Sequence, residues 1–410
     1  MIGNREGKTM NLEAALDAAI ENASEELVDL CAALVACPSV NPPGNTSEVA
    51  SKLVEYIRAK GCSVQLYAKN PSMPNVVSTI SSGKAGPHLV FNGHMDTMEP
   101  GDESSWTVPR FALTRRDGRL YGLGMGNMKG AVAAMALAFT ELARYSNQWS
   151  GRITFTAVSD ECVFGDNGAA FLLATRPDVV GDALICGEGP GWMRIALGEK
   201  GVAWYSMTAT AGAGHASRAR TGSTASVRLS RALVSIDQLN DHGVVPPPGL
   251  TGIPSDDAEA FRLSVNAGTI NGGTFISQIA TSAMANVDVR LPPGLPISSF
   301  ETLLAAATAN QEHVSWRRLK AWDANWSPLD QPFVATFVTA ARDVRGMAPS
   351  ATVRLPASDA SRWRALGVPA VCYGPQPTLS SGIDDYAIEK DVLDCAKIYA
   401  KTALRFVQVG

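Results

Sequence analysis

Residues 11–36 carry apolar side chains at helical spacing, with Leu27, Leu30, Leu34 and Val35 on one face, and the run stops before Pro38. One long amphipathic helix is predicted there. Residues 47–60 repeat the pattern and close on Gly61, a helix stop. Short apolar runs at 64–67, 76–80 and 89–91, each bounded by polar or turn residues, predict three strands. An alanine-rich helix follows over 131–145, then a strand over 152–158, a short helical piece over 169–174 and a strand over 183–186. Helices alternating with short apolar strands indicate an α/β domain with a mostly parallel sheet, whose ligands are expected at the strand ends.

After Glu188 the pattern changes, because residues 202–211 alternate polar and apolar positions like a half-exposed strand. A helix over 223–239, a linker at Pro246-Pro247-Pro248-Gly249, strands over 262–270 and within 276–290, a helix over 298–309 and a strand over 314–321 complete the series. Strand, helix, strand, strand, helix, strand is the ferredoxin-like order. The expected organisation is therefore an α/β domain over 1–198 and 325–410, interrupted by an inserted ferredoxin-like α+β domain over 199–324.

Composition narrows the function. With 410 residues, 46% hydrophobic and 18% charged, the chain can build two sizeable cores. A formal charge of -4 without blocks of like charge points to a small-molecule substrate rather than nucleic acid or a membrane surface. Seven cysteines, an odd number with no CxxC pair, imply neither a disulfide framework nor a zinc knuckle, and fit a reducing cytoplasm. The polar N-terminus and the absence of a long apolar run predict neither export nor membrane anchoring.

Candidate chemistry concentrates between residues 89 and 134. His94 and Asp96 flank Met95 at a strand end and so share a face, which is how a sheet presents a metal ligand with an orienting acid. Alone, such a pair is more often a surface histidine beside a turn. Farther on, Gly122, Gly124 and Gly126 permit a tight turn that brings Asn127 to the start of a helix, near the end of that strand. The run GLGMGNMKG has neither nucleotide-loop spacing, so nucleotides are set aside.

Taken in order, GHMD, GLGMGNMKG, Ser159-Asp160-Glu161 and Gly187-Glu188 resemble the metallohydrolases of the aminoacylase and carboxypeptidase G type, which include acetylornithine deacetylase and succinyl-diaminopimelate desuccinylase. The resemblance spans nearly the whole chain. It implies a catalytic α/β domain, an inserted lid and dimer-forming domain, a homodimer and two metals sharing a carboxylate. His94 and Glu188 match the first metal's ligands, Asn127 stands at the bridging aspartate, Cys162 at the second metal's glutamate and Ser381 at its histidine. Glu161 matches the general base that takes a proton from metal-bound water, and Asp96 the acid that holds the His94 ring.

The departures fall on one metal. An amide oxygen at Asn127 is neutral and bridges two cations poorly. Loss of the bridge and of both private ligands of the second metal predicts one ion, held by His94, Asn127 and Glu188, with Mn²⁺ favoured and Zn²⁺ or Fe²⁺ as alternatives. Cys162 as a thiolate ligand to a second metal, and a silent binding protein, are the competing readings; retention of Glu161 speaks against the latter.

The resemblance also implies substrate contacts. His215, in Gly214-His215-Ala216-Ser217, matches a histidine that stabilises the oxyanion in the neighbouring subunit's site, and Arg290 an arginine that clamps a carboxylate. The loop beginning Asn271-Gly272-Gly273 departs from the family pattern at Ser277 and Ala280, leaving Asn271 as its candidate contact. Tyr373 is either a stacking surface for a ligand or core packing. One metal cannot clamp both oxygens of a tetrahedral intermediate. The expected reaction is therefore hydrolytic deamination of an electron-poor aromatic amine, resembling the 5-nitroanthranilate aminohydrolase branch beside that family. The alternative is an N-acyl-amino-acid amidohydrolase or carboxypeptidase. His88, His242 and His313 have no metal-spaced partner and are expected to be structural or surface residues.

Overall fold

The computed structural model describes residues 2–191, 193–376 and 382–408. The chain forms two compact units, one of residues 1–197, 327–351 and 358–410 and one of residues 198–326 and 352–357.

The main sheet has nine strands. Along it lie Gln65–Tyr67, Asn75–Ser81, Arg152–Val158, His88–His94, Ala183–Cys186, Ala370–Cys372, Arg194–Glu199 and Asn325–Trp326, with Ser350–Arg354 also paired to Arg194–Glu199. The four central strands from Arg152–Val158 to Ala370–Cys372 are parallel, whereas Gln65–Tyr67, Asn75–Ser81, Arg194–Glu199 and Asn325–Trp326 pair antiparallel with their neighbours along the sheet. Burial on both faces explains the near-continuous apolar runs of the central strands; all seven residues of His88–His94 are buried. Parallel pairing also brings the ends of His88–His94, Arg152–Val158 and Ala183–Cys186 to the same edge, where His94, Glu161 and Glu188 follow.

The helix Gly130–Ala143 is buried from Gly130 to Leu142 and packs against the helix Glu389–Gln408. Toward the sheet, glycines at the strand ends allow its approach: a Cβ on Gly93 would stand 2.8 Å from both Met128 and Val132 side chains, and one on Gly187 2.8 Å from Ala131. Two expectations need correction. The N-terminal helix is two helices, Ile2–Asn22 and Ser24–Val35, because Ala23 leaves helical geometry (φ -93, ψ 14) between Asn22 and Ser24, whose side chains compete for backbone hydrogen bonds. A three-stranded sheet of Thr114–Arg116, Arg119–Tyr121 and Tyr386–Ile388, and the strand Arg194–Glu199, were not legible as apolar runs.

The second unit carries a four-stranded antiparallel sheet in the order Ser264–Gly272, Ser282–Leu291, Gly201–Thr210, Val314–Trp322, with helices Ala225–Asp237 and Ile297–Thr308. That is the ferredoxin-like strand order. Gly201–Thr210 is a central strand and mostly buried rather than half-exposed, since it pairs on both sides. Among the described residues no helix is long and apolar enough to cross a membrane.

His88, at the start of its strand, gives a test of the core. Its ring is buried with Nε2 2.7 Å from Thr154 Oγ1, and burial, helped by Arg152, holds its pKa down at about 4. A neutral buried imidazole means that the unfolded chain binds the extra proton between about pH 6.5 and 4. Stability is then lost as pH falls through that window, by up to about 3 kcal/mol for this group. Urea unfolding of His88→Gln across the same window is expected to show a shallower acid loss than the parent; an unchanged slope would refute the assignment.

Candidate metal centre

Three strand ends and one turn build the site. His94 closes its strand, and its Nδ1 lies 2.9 Å from the main-chain oxygen of Asp96. The Asp96 carboxylate stands farther off, at 3.5 Å. It accepts instead from Asn41 Nδ2 (2.9 Å), Cys162 N (3.0 Å) and Glu161 N (3.2 Å). Asp96 thus holds the ring chiefly through its carbonyl, while its carboxylate ties down the turn that carries Glu161.

His94 Nε2 points the other way, into a cluster. It lies 3.1 Å from Asn127 Oδ1, 3.2 Å from Glu188 Oε1 and 3.6 Å from Glu161 Oε2. Donor atoms bound about 2.1 Å from one ion are separated by about 3.0–3.4 Å, so the distances from His94 to Asn127 and to Glu188 suit a shared cation. Charge leads the same way. Burial pushes the Glu161 carboxyl well above its usual range, opposed by His94 and reinforced by Glu188, Asp359 and Asp96. Burial likewise pushes Asp359 up to about 6. A buried group of acids around one imidazole is relieved by a bound cation.

The Glu161 carboxylate joins His94 and Glu188 in one grouping that could hold a metal, their ligand atoms within 4.8 Å of one another, and a second grouping, His94, Asp96 and Cys162, reuses the same imidazole. Its carboxylate already accepts the three hydrogen bonds given above. Burial, reinforced by Asp96, pushes the Cys162 thiol far up in the metal-free chain. Ser381, expected where the second metal's histidine would be, lies outside the described residues.

Asn127 is delivered by the glycine turn. Gly124 has φ +83, a conformation that favours glycine, and its missing side chain leaves room for Thr97, whose Cγ2 a Cβ would approach to 2.4 Å. Asn127 and Met128 leave helical geometry inside the turn Met125–Lys129, and the helix proper starts at Gly130. Asp385 braces the turn by accepting from Gly124 N (2.8 Å) and Gly126 N (3.2 Å), and burial pushes its carboxyl up to about 7. Lys129, also buried, donates to Cys37 O at 2.8 Å. Asp385→Ala leaves two buried N–H groups unpaired, at a cost of about 1–3 kcal/mol each. We expect a lower denaturation midpoint together with weaker metal uptake; an unchanged midpoint would show that the turn stands without its brace.

The remaining expected residues are placed as follows. His215 is exposed in the second unit, in a short turn where Nδ1 pairs with Ser217 Oγ (2.9 Å). Arg290 lies on Ser282–Leu291 with its fork on Asp288, Nη2 to Oδ2 being 2.9 Å. Asn271 is exposed on Ser264–Gly272. Of the two readings for Tyr373 its burial agrees with core packing rather than ligand stacking: it is wholly buried, its ring 5.3 Å from Phe337 and its hydroxyl 3.3 Å from Arg345 Nε. Asn41 and Asp385 were missed as site residues. Each acts across a long stretch of chain, and local patterning carries no sign of such contacts.

Residues 90–405 match the sequence profile described as "Peptidase family M20/M25/M40". Succinyl-diaminopimelate desuccinylase of Bradyrhizobium sp. (strain ORS 278) is 26% identical over 383 residues, covering 89% of this chain and 95% of the relative. Acetylornithine deacetylase of Proteus mirabilis (strain HI4320) is 26% identical over 293 residues, 68% of this chain and 70% of the relative. Among solved structures, the M20 family metallo-carboxypeptidase Sso-CP2 from Sulfolobus solfataricus aligns with a TM-score of 0.76 at 18% identity, over 94% of this chain and 99% of that one. Human carnosine dipeptidase 1 also aligns with a TM-score of 0.76, at 16% identity, over 97% of this chain and 99% of that one.

Proposed function

The chain belongs to peptidase family M20/M25/M40 and is a metallohydrolase acting on C–N bonds, and from that premise we propose that it works with a single divalent cation on a small substrate bearing a carboxylate. The observation that carries the proposal is the donor set. One imidazole, one neutral amide and one carboxylate converge at 3.1 and 3.2 Å, while the Asp96 carboxylate beside them is occupied by other donors. His94, Asn127 and Glu188 hold the ion, and an oxygen-rich set with one imidazole favours Mn²⁺, with Zn²⁺ or Fe²⁺ as alternatives. When bound, such an ion supplies Lewis acidity that polarises the electrophile and lowers the pKa of water towards ~7. Glu161 is the base that takes the proton of the attacking water. Asp96 fixes the His94 ring and the Glu161 turn. The ferredoxin-like unit is assigned as lid and dimer contact, with His215 at the oxyanion in the partner's site, Arg290 on the substrate carboxylate and Asn271 as a further substrate contact. Sedimentation showing an active monomer would refute the role of His215 across subunits.

Two substrate classes rest on different observations. The relatives named above remove succinyl and acetyl groups, which supports hydrolysis of an N-acyl amino acid or a peptide. The neutral Asn127 supports an electrophile that disperses negative charge without a second cation. An amino-substituted aromatic acid of the 5-nitroanthranilate kind does so, spreading the charge of attack into its ring while the amine departs as ammonia. Ammonia release from nitroaminobenzoates, set against amine release from N-acyl amino acids with manganese in both assays, separates the two. Turnover of acyl amino acids alone would discard the aromatic substrate.

A further inference from the structure

Asn41 has no role in the proposal above, yet its amide touches both halves of the site. Residues 39–41 are zipped to residues 95–97. Ser39 Oγ donates to Met95 O (2.8 Å), Thr97 N to Ser39 O (2.9 Å) and Asn41 N to Thr97 O (2.9 Å), and Val40 and Thr97 form a parallel bridge. The backbone of Asn41 is thereby pinned, and its side chain is buried. From there Nδ2 donates to Asp96 Oδ2 (2.9 Å) and to Asp160 Oδ1 (3.2 Å).

These two acids sit on different elements. Asp96 lies two residues past His94, beyond the end of His88–His94, and Asp160 directly precedes Glu161, beyond the end of Arg152–Val158. Both are buried. An amide NH₂ has two hydrogens, one for each carboxylate. No other donor is shared by both acids among the described hydrogen bonds. Asp160 Oδ2 is taken up locally by Asn167 N (3.1 Å) and Asn167 Nδ2 (2.6 Å), so its Oδ1 is the oxygen left for Asn41.

Resting on the metal assignment above, we infer that Asn41 is a positioning residue: its amide clamps Asp96 to Asp160 and so fixes the spacing of His94 from Glu161. It touches neither substrate nor ion. The competing role is packing within the Pro42-Pro43 turn, which would need no donor.

The test is calorimetric titration of manganese chloride into the metal-stripped full chain, comparing the parent with Asn41→Asp, Asn41→Gln and Ser39→Ala. Asn41→Asp keeps the shape and removes the donor; it is expected to weaken Mn²⁺ binding by about 10–100-fold, the usual cost of losing an outer hydrogen-bond partner. Asn41→Gln keeps the donor on a longer arm and is expected to bind more tightly than Asn41→Asp. Ser39→Ala breaks the same zip at the main chain of Met95 without touching either carboxylate; it is expected to lower the melting temperature and leave Mn²⁺ affinity unchanged. Parental affinity in Asn41→Asp, equal losses in Asn41→Asp and Ser39→Ala, or weaker binding by Asn41→Gln than by Asn41→Asp would each overturn the role while the metal assignment stands. A parent chain that binds no Mn²⁺ would overturn the assignment and the inference together.

Discussion

Glu161→Gln is expected to lower kcat by about 10²–10⁴-fold, the contribution of a positioned general base. The amide has the shape of the carboxylate, so the fold should persist. Its main-chain N–H still reaches Asp96, as in the parent, at 3.2 Å. What disappears is the capacity to take a proton. On the proposed assignment Glu161 is the base and not a ligand: its Oε2 stands 3.6 Å from His94 Nε2, against 3.1 and 3.2 Å for the Asn127 and Glu188 oxygens, although it also lies within 4.8 Å of the His94 and Glu188 donor atoms. Metal content should therefore stay at the parental level in Glu161→Gln. Lost metal together with lost rate would make Glu161 a ligand, and an unchanged rate would assign the base elsewhere.

Much of this arrangement was legible before any coordinates. Parallel central strands are buried on both faces, so residues 89–91, 152–158 and 183–186 stand out as apolar runs, and their ends deliver His94, Glu161 and Glu188. The ferredoxin-like order followed from element sequence alone. The failures have physical causes. Thr114–Arg116 and Arg119–Tyr121 are three residues long and rich in arginine, too short and polar to register as strands. Sequence leaves Tyr373 open between ligand surface and core, because its burial against Phe337 is made by tertiary packing. Asn41 reaches Asp96 across 55 positions and Asp385 reaches Gly126 across 259, and nothing in local periodicity announces such bonds.

His94→Ala and Glu188→Ala are each expected to weaken metal retention by more than about 100-fold, beyond the 10–100-fold typical of an outer partner, because each removes a donor from a set of three. His94 is the more severe case, since its ring faces both other donors and is oriented from behind by Asp96. Cys162→Ala is expected to leave metal content unchanged, because the Asp96 carboxylate oxygens beside it already accept from Asn41, Glu161 and Cys162 donors. Asn127→Asp is the informative gain: a second anionic oxygen beside Glu188 would tighten the existing site. Metal loss in Cys162→Ala equal to that in His94→Ala would move the centre to the other side of the ring.

The central claim is one ion per chain at His94, Asn127 and Glu188, and elemental analysis of the manganese-loaded, desalted full chain tests it most directly. The expected ratio is one manganese per chain, falling towards zero in His94→Ala. Two equivalents per chain in the parent, or one equivalent that survives His94→Ala, would contradict it.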